Sequence, residues 1–85
     1  MESMVAHDRV IPAVRLEFAK RLRQLRIEKG FVHAREFARA LDIEENRYTR
    51  YERAEAEPSF TLIHRICVTL QVSPNDLFGF PESVS

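Results

Sequence analysis

Apolar residues return at three- and four-residue steps along most of this chain, and no stretch alternates apolar with polar in the two-residue rhythm of a strand. That period, broken at short intervals by proline, glycine and capping hydroxyls, confines the chain to short packed helices. The fullest run is Ile11, Val14, Phe18, Leu22 and Leu25 with Arg and Lys between them, which predicts an amphipathic helix to about Lys29. Pro12 suits its first helical position, and Gly30 suits its left-handed end. Phe37, Ala38 and Leu41 form a second stripe on a segment starting near Ala34, too short to stand alone as a helix in water. Tyr48 and Tyr51 then share one face of a third helix, while Asn46, Arg47, Thr49, Arg50 and Arg53 point elsewhere. That helix starts either with Asp42 and Glu45 as a capping pair or at Glu44, and Pro58 is expected to stop it. Ser59 caps a fourth helix whose stripe is Leu62, Ile63, Ile66 and Leu70 and whose end lies near Gln71. Ser73, Pro74 and Asp76 read as a capping hydroxyl, a first-turn proline and a first-turn acid. They start a fifth helix that carries Leu77 and Phe78 into the core before Gly79 and Pro81 end it.

The expectation is an all-α, compact five-helix domain over residues 12–80, with an N-terminal arm over 1–11 and a disordered tail over 81–85. A chain of 85 residues supports one modest core. With 45% apolar and 31% charged residues, it reads as a soluble globular domain with no membrane span. The first residues, MESMVAHDRVIP, carry acids and a histidine where a signal peptide needs a basic start and an apolar stretch, so a cytoplasmic protein is expected. Cys67 is the single cysteine and has no internal disulfide partner. It lies within the fourth helix and reads as a small buried hydrophobe rather than a nucleophile. The two glycines leave no phosphate-cradling loop of the usual sort, and His7, His33, His64 and Cys67 lack metal-ligand spacing. No enzyme, cofactor or metal site is therefore expected.

Charge is unevenly placed under a net charge of zero. From Arg9 to Arg39 nine basic residues face three acids, whereas from Ala40 to Pro58 three basic residues face six acids. A basic run is as often a solvated helix face as a binding surface. It carries functional weight where it faces a polyanion.

Three stretches narrow the reading: FAKRLRQLRIEKGF, REFARALDIEENRYTRYERAEAEPS and LIHRICVTLQVSPNDLF. From Phe18 to Phe78 they resemble the phage-repressor, or Cro/cI-like (XRE-type), helix-turn-helix family. Phe37-Ala38 with Leu41 match its second helix, Tyr51-Glu52-Arg53 the end of its recognition helix, and Leu70-Gln71-Val72-Ser73 its last corner. The resemblance implies a lambda-repressor-like domain with a central helix-turn-helix and a short N-terminal extension. It also implies a salt bridge from Arg26 to Glu52 that fixes the angle of the recognition helix. Breaking such a partly buried pair should cost roughly 3 kcal/mol or more. The chain departs from the family pattern in four ways. The segment between Gly30 and Phe37 is longer than usual, and His33 stands at the usual capping hydroxyl. Ala54 replaces a glycine, implying either a helix that runs past Arg53 or a strained residue. Glu55 and Glu57 occupy a loop that is often basic.

By the same resemblance the chain is a sequence-specific transcriptional regulator, a repressor that reads double-stranded DNA through the major groove. The base contacts it implies are Glu45, Asn46, Thr49 and Arg50, with Glu44 facing either DNA or solvent. The phosphate contacts it implies are Ala34, Arg35, Arg47 and Arg53, while Lys20 and Arg23 fit a solvated face equally well. A domain this small touches few base pairs, so a homodimer on a pseudo-palindromic operator is expected, with a regulatory protein as a further partner. Two surfaces compete for the dimer contact: the fifth helix and Phe80 with helix 4, and the N-terminal turn of Val10, Ile11, Val14 and Leu16. The rival reading is a protein-interaction module, such as an antitoxin-like partner, that keeps the fold and turns its helices on another protein.

Overall fold

Why each helix stops where it does explains most of the architecture. In the computed structural model, which describes residues 11–81, the helices are α1 (Ala13–Glu28), α2 (Ala34–Ala40), α3 (Glu45–Glu52), α4 (Phe60–Leu70) and α5 (Pro74–Phe78). The expected arm and tail lie almost wholly outside the described residues, as do His7 and Val10. The described residues are all-α, and no helix among them is long and apolar enough to cross a membrane.

Four helix ends use one backbone turn. After α1 the Phe31 N–H bonds the Arg26 carbonyl at 3.0 Å and the Gly30 N–H bonds Ile27 at 3.1 Å. The same nested pair closes α2 (Ile43 to Ala38, Asp42 to Arg39), α3 (Glu55 to Arg50, Ala54 to Tyr51) and α4 (Val72 to Cys67, Gln71 to Val68). Each turn needs one left-handed residue to satisfy the last carbonyls. Gly30 takes it at φ 102°, and Asp42, Ala54 and Gln71 take it at 63°, 61° and 59°. For a residue with a Cβ that conformation costs about 1–2 kcal/mol. Two expectations change as a result. Asp42 ends α2 rather than capping α3, whose N-cap is Glu44 without a side-chain bond. Pro58 does not stop α3 either, because Ala54 has already turned the chain four residues earlier.

Helix starts are local and follow the sequence. Ser59 accepts from the Leu62 N–H at 3.1 Å, and Ser73 and Asp76 form a reciprocal capping box ahead of α5. Pro12 sits one position outside α1, as its N-cap, not inside it.

Leu22, Phe37, Leu41, Tyr48, Ile66, Leu70 and Leu77 are fully enclosed. α1 packs against α5 and α3, α2 against α3, and α4 against α5. Phe37 meets Tyr48 edge-on at 5.3 Å, and Phe78 packs on Phe18 at 5.1 Å, remaining half-buried. Cys67 belongs to this core, where burial, with a smaller push from the Asp76 charge, raises its thiol above the ordinary value. The first turn of α1 departs from the expected stripe. Ile11, Val14 and Leu16 stay exposed, and Val14 borders an open groove of about 140 Å³ that the Ala56–Pro58 loop, Ile63 of α4 and Phe78 of α5 also line.

Candidate nucleic-acid interface

The path from α2 to α3 is a tight corner. Leu41 is buried, Asp42 reverses the chain, Ile43 tucks half under, and Glu44 leads into α3. Ala38, 1% exposed, lies beneath this corner, where its methyl leaves room for α3 to pack closely. Arg65 on α4 donates to the Leu41 carbonyl at 2.9 Å and ties the corner to the body from the other side.

α3 then divides cleanly around its axis. Tyr48 and Tyr51 are buried, and Glu52 points inward with its side chain 9% exposed. About 100° per residue places Asn46, Thr49, Arg50 and Arg53 together on the opposite side, with Glu45 and Arg47 at its two margins. Asn46, Arg50, Arg53, Glu45 and Arg47 are exposed, and Thr49 is half-buried with its hydroxyl donating to the Asn46 carbonyl at 3.1 Å. The structure thus brings the four residues predicted for base contact onto or beside one outward surface. Arg47 leans back along the helix, its Nε donating to the Tyr51 hydroxyl at 3.1 Å.

The inward side is held by charge. Arg26 on α1, 4% exposed, meets both Glu52 carboxylate oxygens through one edge of its guanidinium, Nε donating at 2.6 Å and a terminal nitrogen at 3.3 Å. Its other terminal nitrogen donates to the Phe31 and Val32 carbonyls at 2.7 and 2.9 Å. The Tyr48 hydroxyl donates to the same Glu52 carboxylate. Burial alone would lower the Arg26 pKa, but the hydrogen bond and charge of Glu52 more than offset it, leaving the value above its ordinary one. Burial, with Glu52 next in size, pushes the Tyr48 phenol up. This fork-to-fork pair joins α1, the α1–α2 connection and α3 at one point.

The phosphate candidates lie around this surface. Ala34 and Arg35 open α2 behind His33, which makes no side-chain cap bond. Arg35 shares an open groove of about 530 Å³ with Arg39, Asp42, Glu44 and Glu45, so two guanidiniums line the same cleft as the acids at the start of α3. Arg39 is absent from the sequence-derived set, although its position four residues after Arg35 puts it on the same helix face. Glu55 is also absent from that set, and its carboxylate lies 4.0 Å from the Arg50 Nε. Lys20 and Arg23 are exposed on α1.

A family model described as a helix-turn-helix domain matches residues 17–77, more than two-thirds of the chain. The chain belongs to the helix-turn-helix domain family. In that frame α2 and α3 are the helix-turn-helix pair and α3 is its second helix. Membership points the chain to DNA binding and to the regulation of transcription. No curated protein and no solved structure matches it.

Proposed function

We propose that this helix-turn-helix domain is a sequence-specific transcriptional repressor of the phage-repressor (Cro/cI-like, XRE) type that reads a pseudo-palindromic operator in double-stranded DNA as a homodimer. The observation carrying this reading is the division of α3: a face of Asn46, Thr49, Arg50 and Arg53 turned outward on a helix whose opposite side is anchored by Arg26 and Glu52. Asn46 reads adenine and Arg50 reads guanine through paired hydrogen bonds, and Glu45 accepts from cytosine beside the guanidiniums of Arg35 and Arg39. Arg35, Arg47, Arg53 and the first turn of α2 at Ala34 hold phosphates and supply the salt-dependent part of the affinity. The reading assigns the chain no catalytic activity and no cofactor. Apolar side chains suited to a two-fold contact are exposed on α4 and after α5, where Val68 and Phe80 are 62% and 58% exposed. Ile11, Val14 and Leu16 form the competing surface.

Selection of bound duplexes from a random library tests this reading. A two-fold-related motif is expected, with preference at one base pair relaxed in Arg50→Ala by about 1–3 kcal/mol. A library that returns no motif would sink it.

One observation favours the protein-interaction reading. Phe60 is 94% exposed at the rim of an open groove of about 830 Å³ whose lining includes Ile63, Cys67, Val68, Val72 and Phe78. Association with a protein that persists unchanged at high salt, without duplex selection, is the result that reading requires.

A further inference from the structure

Tyr51 is 5% exposed, yet its hydroxyl meets an exposed side chain, accepting a 3.1 Å hydrogen bond from the Nε of Arg47 one turn earlier on α3. The ring belongs to the core, and close packing there holds the hydroxyl in one place. Only the Nε–H of Arg47 is engaged. Among the described residues its two terminal nitrogens have no hydrogen-bond or ion-pair partner. Those nitrogens form the end-on edge of the guanidinium, which fits two oxygens of a phosphate. Arg53, the other phosphate candidate on α3, is exposed and has no such brace among the described residues.

We propose that Tyr51 is a positioning residue of the DNA-binding surface, its hydroxyl holding Arg47 by Nε so that the terminal nitrogens clasp a phosphate. This rests on the regulator reading given above and adds to it a residue that never touches DNA. The tyrosine bond and the phosphate contact use different nitrogens, so binding does not break the bond. An arginine that swings through many rotamers in the free protein must surrender that freedom in the complex. One already held by Nε has surrendered part of it on folding, and a larger share of the free molecules is correctly aimed. Phosphate contacts carry no sequence information directly, so the gain is in affinity and register and is the same at every site.

The test compares binding of the selected duplex and of a scrambled duplex of equal length across a salt series, for wild type, Tyr51→Phe, Arg47→Ala and the double variant. Tyr51→Phe keeps the buried ring and removes only the acceptor. It is expected to weaken both duplexes by the same factor, about twofold to fivefold per bound domain, with the salt slope of the wild type because Arg47 still reaches its phosphate. Arg47→Ala should weaken them further and lower the slope by about one counterion. In the Arg47→Ala background Tyr51→Phe should have no effect, whereas a general loosening of α3 would persist there. In the free wild type the Arg47 Nε–H should exchange with solvent more slowly than that of Arg53, and it should stay slow in the complex. Unchanged or tighter binding by Tyr51→Phe, an effect that survives without Arg47, or an Nε–H no slower than that of Arg53 would overturn the proposal while leaving the regulator reading intact. A wild type that prefers no duplex would overturn both.

Discussion

Two Arg–Glu pairs meet on α3, and they differ in almost everything but composition. Arg26 and Glu52 are buried, held at 2.6 and 3.3 Å, and surrounded by the Tyr48 hydroxyl and two loop carbonyls. Arg50 and Glu55 stand 4.0 Å apart in solvent, with no further side-chain partner for either among the described residues. Removing one member of the buried pair strands a charge whose desolvation has already been incurred. Removing one member of the exposed pair hands the survivor to water. The same chemistry therefore fixes a helix on one side and leaves a side chain exchangeable on the other.

The largest effect that would sharpen this contrast is on stability. Arg26→Met or Glu52→Ala should each cost about 3–5 kcal/mol in urea unfolding, and a loss below about 1 kcal/mol would mean the pair is not the anchor its geometry implies. The Arg26→Met/Glu52→Ala double variant should lose less than the sum of the two singles, because no charge is left stranded.

Next in size is an alkaline effect. The folded pKa of Tyr48 lies above its unfolded value of 10.0, so its contribution is fully present below pH 10 and falls as pH rises beyond it. Stability should decline there by up to about 1.4 kcal/mol per pH unit from this one proton, and Tyr48→Phe should flatten that part of the profile. An unchanged alkaline slope in Tyr48→Phe would remove the tyrosine from the buried network.

The exposed pair should register far less. Glu55→Gln is expected to change unfolding free energy by less than about 0.5 kcal/mol, and any change should vanish in high salt. A loss of the size expected at Glu52 would erase the distinction between the pairs. Smallest of all is the pair on the α1 surface, where the Arg21 hydrogen bond holds the Glu17 carboxyl below its ordinary value. Its contribution is present above pH 4.5 and lost as pH falls through the lowered folded value. Glu17→Gln should slightly flatten the acid limb of the stability profile, and a steeper limb would contradict the assignment.

How much of the molecule is legible in its sequence depends on how local each interaction is. Ser59, Ser73 and Asp76 act on amides three residues away, so their roles can be read from spacing alone. The positions of Tyr48 and Tyr51 follow from the helical period, since one face of α3 must cover the core. Pro58 is a conspicuous breaker that draws the expected end of α3 too far on, whereas Ala54 at the family's glycine position leaves open a longer helix or a strained residue, and the structure shows the strained, left-handed one. Propensity argues against it, and packing around Ala54, 3% exposed, overrides propensity. Arg50 and Glu55 meet through that same turn, so their proximity is left open with it. Arg65 reaching Leu41 and Arg15 reaching Glu57 span 24 and 42 residues, distances at which single-sequence spacing carries no information. Ile11 and Val14 read as core because periodicity reports a face without reporting whether anything stands opposite it.

The nested turn that closes α1, α2, α3 and α4 bears on how such a chain tolerates changes in length over evolutionary time. Between Leu41 and Glu44 no residue is spare, since one is buried, one reverses the chain, one tucks under and one leads into α3. A residue added within α3 ahead of Asn46 would carry its outward side chains around the axis by about 100° and aim them past whatever they contact. The connection from Gly30 to His33 is under a looser constraint, since Arg26 needs carbonyls there rather than particular side chains. Insertions and deletions should therefore accumulate between α1 and α2, while the corner between α2 and α3 keeps its length as its letters change.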